Sequence, residues 1–131
     1  MKATEMIQTI YHALDDKKAI NPVIMDVRRV TMICDYFIIA SGENYNQVQA
    51  MANNVEEEMD KKECHFRHME GYQAANWILM DYNDVVVHLF YKEDRTFYDL
   101  ERIWRDARTI TLDDVKESER RINELEKELA K

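Results

Sequence analysis

The run Asp84-Val-Val-Val-His88-Leu-Phe90-Tyr91 limits this chain more than any other segment. At the strand period of two, Val85, Val87, Leu89 and Tyr91 share one face, and Val86, His88 and Phe90 share the other. Both faces are apolar apart from the histidine, so the run reads as a buried strand. Tyr36-Phe-Ile-Ile-Ala40 has the same character and predicts a second strand buried on both faces. The first run leads into Arg95-Thr-Phe-Tyr98-Asp-Leu100-Glu101-Arg-Ile-Trp104 with no Gly or Pro between, which predicts a short aromatic-rich helix.

The remaining elements build an α/β fold around these strands. Met6, Ile7, Ile10, Tyr11 and Leu14 recur at helical spacing and predict an amphipathic helix over about residues 3–18. Asn21-Pro22 marks a break, because Pro biases its predecessor to extended geometry. Val23–Val27 then reads as a strand. Gly42 is one of only two glycines and follows Ser41 at the end of Tyr36–Ala40, a signal for a tight strand-to-helix turn. Val48, Met51, Ala52, Val55 and Met59 stripe a long helix from about Asn44 to Lys62. Strand, helix and strand in that order form the crossover unit of an α/β fold. Further strands are predicted at Cys64–Met69, Asn76–Met80 and Asp84–Tyr91, the last two joined by a hairpin at Tyr82-Asn83. The expected fold is one α/β domain with a mixed sheet of about five strands flanked by helices. Its limits are 1–108, with 109–131 a charged helical extension whose narrow stripe is Val115, Ile122, Leu125 and Leu129. That stripe suits either a helix docked on the domain or a self-association seam.

Charge and composition exclude several function classes. The chain carries 18 basic and 26 acidic residues, a net charge of −8. Direct nucleic-acid binding needs clustered Lys and Arg, whereas this balance suits a basic protein partner. No apolar run approaches the ~20 residues of a membrane span, and the N-terminus lacks the pattern of a signal peptide. Two cysteines, Cys34 and Cys64, suit a reducing compartment. The expected location is the cytoplasm.

Catalytic constellations are scarce. Cys64-His65-Phe66-Arg67-His68 gathers potential metal ligands, but on a strand His65 and His68 point to opposite faces, and no second cluster exists at zinc-site spacing. No nucleophile stands in an elbow or beside a base. The Ser41-Gly42 turn could aim helix N-terminal amides at a phosphate, but Glu43 would repel it, and no Asp-x-Asp pair is available to hold a divalent metal. Asp81 and Asp84 read as turn residues. The expectation is a non-enzyme without cofactor or metal. Along Asn76–Asp81, Trp77, Leu79 and Asp81 share a face that is either core or an interface. His88 is either a satisfied buried histidine or a partner contact.

Asp35-Tyr36-Phe37, Ser41-Gly42, Glu70-Gly71, Trp77, Asp81, Val86-Val87-His88-Leu89-Phe90 and Tyr98-Asp99-Leu100-Glu101…Trp104 occur in an order and spacing that resemble the ribosomal silencing factor (Iojap-related) family. The resemblance spans roughly Ala3 to Arg108. It implies a nucleotidyltransferase-like shape without the catalytic carboxylates. It also implies binding to the large ribosomal subunit through the large-subunit ribosomal protein numbered fourteen, which blocks joining of the small subunit and represses translation. A homodimer is implied as well. The binding residues it suggests here are Trp77 as anchor, with Leu79, Asp81, His88, Glu70 and Tyr91. Two alternatives stay open: large-subunit maturation, and a metal-dependent nucleotidyltransferase-like enzyme.

Overall fold

The computed structural model describes residues 1–131. In chain order it contains α1 (Ala3–Asp16), β1 (Ile20–Asp26), β2 (Tyr36–Gly42), α2 (Tyr45–Asp60), β3 (His68–Glu70) and β4 (Trp77–Asp81). Then follow β5 (Val85–Tyr91), α3 (Lys92–Tyr98), α4 (Leu100–Ile103), β6 (Arg108–Ile110) and α5 (Leu112–Leu129). The six strands form one mixed sheet in the order β3-β4-β5-β2-β1-β6. Only the central pair, β2 and β5, is parallel, and α2 with the β3–β4 hairpin forms the crossover between them. The two runs apolar on both faces therefore take the two central positions, where every residue of β2 is buried.

The sheet separates two apolar layers. On one face α1, α2 and the start of α5 cover Ile24, Tyr36, Ile38, Ala40, Val85, Val87 and Leu89 in the larger core. Gly42 lets α2 start close to the strand, since a Cβ there would lie 3.0 Å from Val48 Cγ2. Asn44 caps α2 by accepting from the Gln47 N–H at 2.8 Å. Gln47 in turn donates to the carbonyls of Lys17 and Lys18, tying the end of α1 to the start of α2. The opposite face carries a smaller cluster of Met25, Val27, Cys34, Phe37, Ile39, Val86, Phe90 and Leu100.

Several elements differ from the sequence expectation. The sheet gains a sixth strand, β6, which pairs antiparallel with β1. Asn21-Pro22 does not precede β1 but forms a bulge inside it, with Asn21 at φ 45° and a register shift between Ile20 and Val23. The strand expected over Cys64–Met69 is reduced to His68–Glu70, because the chain after α2 turns back through Glu63 at φ 58°. The aromatic helix over Arg95–Trp104 is two helices: Asp99 takes a left-handed conformation (φ 46°) and starts a second turn in a new direction. That break brings Leu100 and Trp104 down onto the sheet. The segment after residue 108 is docked, with Ile110, Leu112 and Val115 joining the α1 layer. Ile122, Leu125 and Leu129 remain exposed.

Candidate protein-binding face

The face opposite α1 and α2 is only partly roofed. Leu100 and Trp104 cover its β1–β2 side, whereas on its β4 side Tyr98, at the end of α3, reaches over Trp77 and leaves Leu79 and Asp81 half-buried. Cross-strand register sets the residues there: Trp77 lies opposite Phe90, Leu79 opposite His88, and Asp81 opposite Val86. Alternation along β4 turns Ile78 and Met80 into the main core and leaves Trp77, Leu79 and Asp81 on the open side, half-buried.

Trp77 is built in rather than free. Its ring stacks at 5.0 Å on both Phe90 and Tyr98. Its indole N–H donates to His88 Nδ1 at 3.1 Å. That bond leaves Nδ1 unprotonated and puts the proton of the neutral ring on Nε2. His88 Nε2 is itself buried without a partner, and burial lowers the histidine pKa to about 4. Phe37 completes the floor, meeting His88 edge-on at 4.8 Å and Trp104 at 5.0 Å. His88 is thus a buried ring with Nδ1 satisfied and Nε2 without a partner.

The β3–β4 turn shapes the outer wall. Gly71 sits at φ 81°, and a Cβ there would fall 2.0 Å from the Trp77 carbonyl oxygen, so only glycine permits this approach. A shallow concavity of about 280 Å³ lies between Glu70, Gly71, Trp77 and Leu79. Glu70 is exposed and pairs with His68 at 2.9 Å. Tyr91, grouped with these residues on the strength of the family resemblance, lies on the other face, against Tyr45 at 4.8 Å. The strand period places it there, with Val85, Val87 and Leu89. Trp77, Leu79, Asp81, His88 and Glu70 share one region.

At the lower end of this face the Asp81 carboxylate accepts from the Asn83 N–H at 2.7 Å, the bond of a turn residue. Burial pushes the Cys34 thiol up to about 11, with the Asp35, Asp81 and Asp84 carboxylates adding to the rise. No three His, Cys, Asp or Glu side chains come together at metal-binding spacing. His65 instead contacts Asp60 at 2.6 Å. No helix is long and apolar enough to cross a membrane.

Sequence reasoning missed Met32 and Ile33, exposed on the β1–β2 loop, and Phe97 and Ile103, exposed on α3 and α4. The available signal was an apolar pair in a segment with neither helical nor strand period.

Comparison with known proteins agrees with this architecture. The family model described as "Ribosomal silencing factor during starvation" matches residues 1–131. A ribosomal silencing factor of Halalkalibacterium halodurans is 38% identical over 115 residues, covering 88% of this chain and 98% of the relative. A crystal structure of a Chromobacterium violaceum protein superposes with a TM-score of 0.77 at 31% identity, covering 79% of this chain and 87% of that one. A mouse protein named for mitochondrial assembly of the ribosomal large subunit is 32% identical over 73 residues, covering 53% of this chain and 32% of its own length.

Proposed function

The chain belongs to the ribosomal silencing factor family, and from that premise we propose that it represses translation by occupying the intersubunit face of the large ribosomal subunit. The half-roofed apolar sheet face carries this reading. Trp77 and Leu79 offer a rigid aromatic and aliphatic surface on a strand, with Phe90, His88 and Phe37 packed beneath it. Large aromatic side chains in a packed setting make the dominant contacts of protein interfaces. The partner is the large-subunit ribosomal protein numbered fourteen, whose basic character suits a chain of net charge −8. Occupying that surface excludes the small subunit by volume, which requires affinity and no bond chemistry. The protein acts in the cytoplasm and forms a homodimer.

Sucrose-gradient sedimentation of purified subunits with and without the protein tests the proposal. The expected result is co-migration with free large subunits and depletion of the joined particle. Protein that stays at the top of the gradient overturns it. A second reading, large-subunit maturation, draws on the name of the mouse relative. It predicts binding to large subunits with no loss of joining, and accumulation of large-subunit precursors when the protein is absent.

A further inference from the structure

We propose that the β1–β2 loop, through Met32 and Ile33, is a second anchor of the binding face, seated on a protein surface whose apolar patch is ringed by Lys and Arg. This inference rests on the large-subunit reading above and names a contact that reading did not include.

The loop is exposed yet held. Met32 is fully exposed and Ile33 is 84% exposed. A mobile loop would bury or scatter such side chains, but this one is closed at its neck by the Val27 N–H donating to the Asp35 carbonyl at 3.0 Å. The N–H groups of Val30 and Thr31 both donate to the Val27 carbonyl at 3.0 Å, and the Ile33 N–H donates to Thr31 Oγ1 at 3.2 Å. The N–H groups of Asp35 and Tyr36 reach the Asp84 carbonyl at 2.9 and 3.0 Å, fixing the loop to the β4–β5 turn. Val27 and Cys34, at the two ends, are buried in the same apolar cluster as Phe37 and Val86. Two aliphatic side chains displayed on an immobilised loop lose little further entropy on docking.

The surroundings select the partner. Trp77 and Leu79 pack against the cluster that holds Cys34, so the foot of the loop and the β4 face share one apolar cluster. Asp35 follows Cys34 directly, the Asp35 and Tyr36 N–H groups bond the Asp84 carbonyl, and Asp81 lies opposite Val86 of the same cluster, which sets these three acidic residues at the foot of the loop. None of the three forms an ion pair within the chain, whereas Arg28 on the loop is matched by Asp26 at 2.7 Å. Arg29 on the loop and Arg67, which donates to Asn83 on the β4–β5 turn at 2.5 Å, are then the cations set against three carboxylates without an ion pair. Such a rim repels phosphate, which disfavours RNA and anionic lipid. It equally repels a second copy of the same acidic surface. A basic protein surface with an apolar centre satisfies both the rim and the anchor.

The test is fluorescence titration of labelled protein with purified bacterial large subunits, for the unaltered chain, Met32→Ala/Ile33→Ala and Ile33→Arg. Thermal melting and equilibrium sedimentation of the free proteins accompany it. Both variants should melt within a few degrees of the parent, because the side chains are exposed. The double variant should raise Kd at least tenfold and Ile33→Arg further still. A Kd unchanged within twofold, with the parent binding, overturns the anchor and leaves the large-subunit reading standing. Tighter binding by Ile33→Arg would mean the loop faces RNA, and altered self-association of the free variants would mean it faces another copy; either result overturns the proposal. Failure of the unaltered chain to bind removes the parent reading, and the anchor falls with it.

Discussion

Trp77 and His88 form a unit in which each group fixes the other. The indole supplies the only hydrogen bond to the imidazole, and the imidazole acceptor holds the indole against Phe90 and Tyr98, tilted by 31° and 47°. Trp77→Phe keeps an aromatic platform but orphans His88 Nδ1, and should lower stability by about 1–2 kcal/mol in urea titration. Trp77→Ala removes packing as well, so a loss of subunit binding in that variant has to be compared with its folding curve. The buried histidine also makes stability depend on pH. Its folded pKa of about 4 lies below the ordinary 6.5, so the unfolded chain takes up the proton first. The stabilisation is complete above pH 6.5 and is lost as pH falls towards 4. Relative to a His88→Leu variant, the protein should lose about 2–3 kcal/mol between pH 7 and 4.5, measured by denaturant unfolding at both values.

At the scale of elements, α5 is attached by a few well-defined contacts. Thr111 accepts from the Asp114 N–H at 3.1 Å, and the Asp114 carboxylate accepts from the Thr111 N–H at 2.9 Å, a reciprocal capping box. Lys2 pairs with Glu126 at 2.8 Å, and Gln8 bonds Glu119, which lays α5 along α1. The exposed ion pair adds little, so Val115 burial and the cap hold the helix start. Thr111→Ala should cost about 1 kcal/mol, read as a lower urea midpoint with an unchanged slope. The docked beginning of this helix was only one of two readings open to the sequence, because its stripe is narrow and its neighbour α1 lies more than a hundred residues away. The division of the aromatic helix at Asp99 was not visible at all. Aspartate in the left-handed region is tolerated rather than demanded, and the descent of Leu100 onto the sheet favours it there.

For the molecule as a whole, the two faces of the sheet divide the work. One is closed by helices, and the other combines apolar residues with an acidic lower rim. Association with a basic partner should therefore weaken with ionic strength. Titrations at 50 and 300 mM salt should show a clear rise in Kd, and Asp84→Asn should flatten that dependence while leaving thermal melting nearly unchanged. A Kd independent of salt would mean that the acidic rim stays outside the interface.

Periodicity by itself determined the central strands, the helices α1 and α2, the Gly42 turn and the face shared by Trp77, Leu79 and Asp81. These follow from local geometry: a strand alternates every two residues, a helix every 3.6, and a chain with few glycines places them where a turn requires them. The same alternation separates Tyr91 from His88, so the family resemblance, not the strand pattern, grouped them. Tertiary structure alone decided which side of the sheet stays open, that Trp77 is half-buried against Tyr98, and that Met32 and Ile33 face outward. An apolar side chain carries no mark of whether a neighbour will cover it. That depends on where distant segments cross the sheet, and here the turn at Asp99 carries Leu100 and Trp104 over β1 and β2 after Tyr98 has reached only the Trp77 end of β4.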